Sequence, residues 1–171
     1  RAPSAQELAA EFLNYLQEHR TFSGMYADPD LALQAHPAEI GDSMVKQVSS
    51  ILDGLKWNEA DVADFLGQYL SEPKSHIVFD APKNMTLLAF EKRLRAEGIQ
   101  LSFKSQLLKT GATYYLNGET IVFDADSENL ISQLARTRVL SPKDLYDTSN
   151  VSGVFIAQMH EWYLAGCIMF Q

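Results

Sequence analysis

Asn117-Gly118 stands between two short runs, Ala112–Leu116 and Glu119–Phe123, that are rich in aromatic and β-branched residues. Asn-Gly accepts the positive φ angles of a type I′ turn, whose twist matches that of paired strands. This spacer predicts an antiparallel hairpin and rules out an all-helical second half. Around it the pattern stays mixed. Thr86–Glu97 reads as a helix closed by Gly98, and Ile99–Phe103 and Ser105–Lys109 have strand character. Asp126 or Ser127 opens a helix through Leu130 and Leu134. Ser141-Pro142-x-Asp144 resembles a cap with proline at the first helical position. Val154–Leu164 predicts a last helix, ended by Gly166, and Cys167–Phe170 a short apolar strand. Helices, a hairpin and a terminal strand suit a winged-helix-like α+β unit.

The first part reads as all helix. Ser4 and Glu7 have capping-box spacing, and Leu8, Phe12, Tyr15 and Leu16 follow on one face. Tyr26 to Pro37 is proline-bearing and polar, and reads as an ordered loop. Asp42 or Ser43 caps a second helix through Met44, Val48, Ile51, Leu52 and Leu55. Asn58 caps a third, with Val62, Phe65, Leu66, Tyr69 and Leu70 on its apolar side, and Pro73 stops it. Ser71–Ser75 and Ala81–Asn84 carry two prolines between them and read as a linker. The expected domains are therefore 1–80 and 84–171.

Charge divides at the same place. Residues 1–80 hold five Lys or Arg and 13 Asp or Glu, net −8, whereas residues 81–171 hold nine of each. A chain of net charge −8 gains nothing from a phosphate backbone, so general nucleic-acid binding is disfavoured. Lys92, Arg93 and Arg95, with Lys104, Lys109, Arg136 and Arg138, form the basic concentration of the second half. They support a rival reading, a free-standing winged-helix regulator of nucleic acid, although such a run is usually a solvated face.

Chemistry is sparse. His19, His36, His76 and His160 do not begin a His-x-Asp or His-x-Glu pair, as a facial iron triad would need. His160-Glu161 starts like a zinc motif without completing it. Asp28, Asp30 and Asp42 lack the spacing of a calcium loop. Ser152-Gly153 lacks the preceding glycine of a nucleophile elbow, which leaves a small hydrolase without support. Cys167 is the only cysteine, so an internal disulfide and a Cys-rich zinc site are excluded, and it reads as a small core residue. With no signal peptide recognisable, this favours a reducing, cytosolic setting. No apolar run approaches the roughly 20 residues of a membrane span. No catalytic, cofactor-binding or metal-ligating residue is assigned.

Three segments carry a resemblance. Arg1-Ala2-Pro3-Ser4 with Glu7-Leu8, then Tyr26-x-Asp28-Pro29-Asp30, then Ala35-His36-Pro37-Ala38, resemble the stretch just after the catalytic barrel in bacterial ribosomal oxygenases. Phe65–Pro73 matches the helix before that family's serine-glutamate-proline break. The family consists of Jumonji-type cupins that use Fe(II) and 2-oxoglutarate to hydroxylate an arginine of a large-subunit ribosomal protein. The resemblance is specific over residues 1–73 and rests on element order from 84 onward. It implies a helical dimerisation domain at 1–80 and a winged-helix-like domain at 84–171. It also implies a parent oxygenase holding Fe(II) and 2-oxoglutarate in a barrel that this chain lacks. Opening on Arg1, not Met, fits a piece of a longer protein.

The apolar helix faces carry the assembly expectation. About 80 residues bury a limited share of their surface alone. Leu8, Phe12, Tyr15, Leu16, Val62, Phe65, Leu66 and Tyr69 are thus the candidate contacts of a homodimer. The acidic first half also suits a basic ribosomal protein as substrate of the parent.

Overall fold

The computed structural model describes residues 2–21, 36, 38–146 and 151–171. The Tyr26–Asp30 segment and Asp28 and Asp30 of the aspartate cluster lie outside the described residues, as does Pro37. The described chain forms two compact units, residues 1–65 and 66–171. That division falls earlier than the expected boundary near 80.

In the first unit, α1 spans Ala5–His19. The Ser4 hydroxyl accepts from Glu7 N at 3.1 Å, and the Glu7 carboxylate accepts from Ser4 N at 2.6 Å. The capping box thus forms as expected. α2 spans Asp42–Leu52, and Gly41, not Asp42 or Ser43, takes the cap position. Asp42 falls in the first turn, where its charge faces the positive helix end. α3 spans Glu59–Ser71. Asn58 Oδ1 accepts from Ala60 N at 2.7 Å, and Asp61 Oδ2 accepts from Asn58 N at 2.9 Å. α1 and the first half of α3 share an aromatic cluster. Phe12 lies edge-on to Phe65 at 5.2 Å and to Trp57 at 5.8 Å, and Tyr15 Oη donates to Asp64 at 2.7 Å.

In the second unit, the end of α3 packs on a hairpin sheet. A Cβ at Gly67 would overlap the Tyr115 ring, and the buried Ser71 hydroxyl accepts from Gly118 N at 2.9 Å. These contacts tie residues read as linker to the second unit, and explain why the division precedes them. α4, Leu87–Glu97, is capped by Thr86 and ends at Gly98 with φ 73°. β1 (Ile99–Leu101) lies between β5 (Val139–Leu140) and β6 (Ile168–Phe170), antiparallel to both. β2 (Leu107–Thr110), β3 (Thr113–Leu116) and β4 (Glu119–Ile121) form the second antiparallel sheet. Asn117 and Gly118, at φ 53° and 93°, make the turn that places Leu116 opposite Glu119. α5 spans Glu128–Thr137 and α6 spans Gly153–Leu164. Phe90, Leu94, Leu134, Phe155 and Met159 join the two sheets in one buried core.

Three local expectations change. β1 stops at Leu101 because the Arg138 guanidinium donates to the Ser102 and Ser105 carbonyls, at 2.8 and 3.0 Å, holding the chain in a turn. Ser141-Pro142-x-Asp144 makes a turn over residues 142–145, not a helix. The Asp144 carboxylate accepts from both Ser141 N and Ser141 Oγ at 2.7 Å. At the start of α5, Ser127 takes the cap position without a side-chain cap bond, and the Asp124 carboxylate receives its N–H at 2.9 Å.

Candidate interaction surface

The proposed contact residues separate by burial. Leu16 and Phe65, 1% and 5% exposed, are filled against their own unit, so neither offers surface to a partner. Leu8, Phe12, Tyr15 and Val62 of the first unit are half-buried, as are Leu66 and Tyr69 of the second. The larger apolar surface of the first unit lies elsewhere, on α2. That helix buries none of its residues, and Ile51 and Leu52 are 51% and 57% exposed. Val48 and Val45 extend the stripe by nearly two helical turns, and Trp57 is 54% exposed in the following loop. The α2 spacing was legible in the sequence. Which of three apolar faces the unit covers by itself was not, because that depends on how α1 meets α3.

The basic residues are largely occupied. Arg93 pairs with Glu97 at 2.8 Å and lies over the Phe170 ring at 4.2 Å. Arg95 pairs with Glu91 at 3.0 Å, Lys104 with Asp80 at 2.6 Å and Lys109 with Glu128 at 3.1 Å. Arg138 is spent on backbone carbonyls. A phosphate backbone would have to displace these partners.

No group of three His, Cys, Asp or Glu that could hold a metal ion occurs among the described residues. His160 bonds the Met85 carbonyl at 2.8 Å beside the Phe90 ring, and His19 bonds the Tyr15 carbonyl at 2.9 Å. The donor set does not fit Fe(II) as a facial triad would hold it. Cys167 is buried beside Asn117, whose amide nitrogen is 3.3 Å from Sγ, and burial pushes the thiol pKa up. That favours the neutral thiol over a nucleophilic thiolate. Among the described residues, no helix is long and apolar enough to cross a membrane.

Across 160 residues the chain is 22% identical to ribosomal protein uL16 3-hydroxylase of Escherichia coli strain K12, covering 86% of this chain and 39% of that protein. The X-ray structure of E. coli ycfD matches all of this chain and 46% of its own, with TM-score 0.71 and 21% identity. YcfD described as a ribosomal oxygenase in complex with cobalt and 2-oxoglutarate matches with TM-score 0.70 and 21% identity, over all of this chain and 47% of that one. The chain thus spans less than half the length of these relatives. Residues 54–169 match the ROXA-like winged helix, taking in every element from α3 to α6 and the first two residues of β6. With more than half of its residues inside that match, the chain belongs to the ROXA-like winged-helix family.

Proposed function

We propose that this chain is the dimerisation and scaffold region of an Fe(II)- and 2-oxoglutarate-dependent ribosomal-protein arginine hydroxylase whose catalytic barrel lies outside it. The observation that carries the reading is the match of the whole chain to less than half of a ribosomal oxygenase structure. Residues 1–80 provide pairing and residues 84–171 the winged-helix-like support. In this reading the parent works in the cytosol on a basic ribosomal protein, toward which the acidic first half is complementary.

Pairing of two copies is supported by the α2 stripe. A stable interface normally buries at least about 1,200 Å² in total, and the apolar side of α2 with Trp57 supplies the centre of such a patch. Incubating the chain with Fe(II), 2-oxoglutarate and a ribosomal-protein substrate, followed by mass spectrometry, tests the division of labour. The expected result is no gain of oxygen above the enzyme-free control. A hydroxylated product would overturn the proposal.

A further inference from the structure

The first unit is strongly acidic, yet two of its cations share one place. Residues 1–65 contain four Lys or Arg against 11 Asp or Glu. Two of those four, Arg20 and Lys56, line a single concavity of about 420 Å³, together with His19, Thr21, Leu16, Gly54 and Leu55. Among the described residues, no acidic side chain lines it. The size lies within the range of small-ligand sites. Half-buried Leu55 supplies the accessible apolar side over the buried Leu16, and the cations and the Thr21 hydroxyl supply polar groups.

The Arg20 guanidinium is fixed by Asp61 at 2.7 Å, which leaves its remaining N–H groups to donate. His19 Nδ1 lies 2.9 Å from the Tyr15 carbonyl and must donate to it, so Nε2 is the ring nitrogen left for a ligand. The imidazole is stacked on Tyr15 at 4.2 Å, which sets its plane. No described residue pairs with the Lys56 ammonium. Because Asp61 offsets part of the Arg20 charge, Lys56 carries the charge left uncompensated among the described residues.

We infer that this groove binds an aliphatic carboxylate, its oxygens on Lys56 and Arg20 and its hydrocarbon against Leu55. A free branched-chain acid and the C-terminal residue of a peptide share that chemistry. The competing reading is that His19 and Arg20 only offset the negative C-terminal end of α1. It gives no account of the concavity or of Lys56, which stands in the α2–α3 connection.

Titration of the full chain with 4-methylpentanoate, followed by amide NMR, separates the two. Saturable shifts are expected at Thr21, Gly54 and Lys56, with a dissociation constant of about 1 mM. Lys56→Gln should weaken binding about five-fold, and Lys46→Gln, on α2 and away from the groove, should not change it. The neutral 4-methylpentanamide and inorganic phosphate should each bind at least about five-fold more weakly, since one lacks charge and the other the apolar group. N-acetyl-Ala-Leu, compared with its C-terminal amide, identifies the source: tighter binding of the peptide acid than of 4-methylpentanoate marks a peptide end, and weaker binding a free acid. Absent or non-saturating shifts, equal binding of the amide or phosphate, or an unchanged constant in Lys56→Gln would overturn the assignment.

Discussion

The Asp124 carboxylate accepts a hydrogen bond from the Ser152 hydroxyl at 2.7 Å, and the same hydroxyl accepts from Phe155 N at 3.0 Å to cap α6. Its other oxygen receives Ser127 N at the start of α5. One carboxylate therefore serves the positive ends of two helices. The Ser127 and Ser152 hydroxyls, 3.3 Å apart, close the arrangement.

Hydrogen bonds from Ser127 and then Ser152 hold the Asp124 pKa below its ordinary 3.8. A carboxyl depressed on folding contributes stability above its unfolded pKa and loses it as pH falls through the folded value. Asp144 is lowered in the same way, first by Ser141. Acid titration of the wild-type chain should therefore lower stability below about pH 4, and Asp124→Asn should flatten that dependence. At neutral pH the substitution should cost about 1 kcal/mol, as loss of a helix cap does. Urea unfolding across this pH range checks both outcomes.

Gly67→Ala should destabilise the second unit although alanine is the better helix former. The added methyl meets the Tyr115 ring, and overpacking costs about 1–3 kcal/mol against a propensity gain of about 1 kcal/mol. Tyr115→Leu in the same chain should recover part of the loss. Denaturation midpoints of the two variants decide the matter.

In sedimentation the chain should run as a dimer, not at its monomer mass of 19.2 kDa, and the dimer should tighten with salt as like charges are screened. Ile51→Asp with Leu52→Asp should give monomers without loss of helix signal. Phe65→Ala is a poor probe of pairing, since removing this buried ring should cost the unit's own core about 3–5 kcal/mol. Monomers at all salt concentrations would count against pairing.

Duplex DNA should bind weakly and lose affinity steeply with salt. Changing Lys92, Arg93 and Arg95 to Ala should alter that affinity little, because Arg93 and Arg95 already hold carboxylates on their own helix. Fluorescence anisotropy at physiological salt is sufficient. Submicromolar binding abolished by the triple change would favour the regulator reading.

What was legible in the sequence was mostly local. Ser4 and Glu7, Thr86 and Gly98, and Asn117-Gly118 act within a few residues, and each forms the cap or turn its chemistry dictates. Contacts far apart in sequence were hidden. Ser152 meets a carboxylate 28 residues away, and Arg138 halts β1 from across the second unit. The groove was invisible for the same reason, since Arg20 and Lys56 come together only when the helices pack. Ser141-Pro142 misled because its cap-like bonds close one turn without a following apolar face to extend it.

Ser71, hydrogen-bonded to Gly118 N, has a practical consequence for dissecting this protein. A truncation that starts at Ala81 follows the composition break but amputates the serine that satisfies the hairpin tip and the Gly67 backbone on which Tyr115 rests. It also removes Asp80, whose carbonyl faces Gly166 and whose carboxylate holds Lys104. The bare aromatic ring would make such a fragment prone to clump. A severable winged-helix piece has to carry the whole of α3 with it.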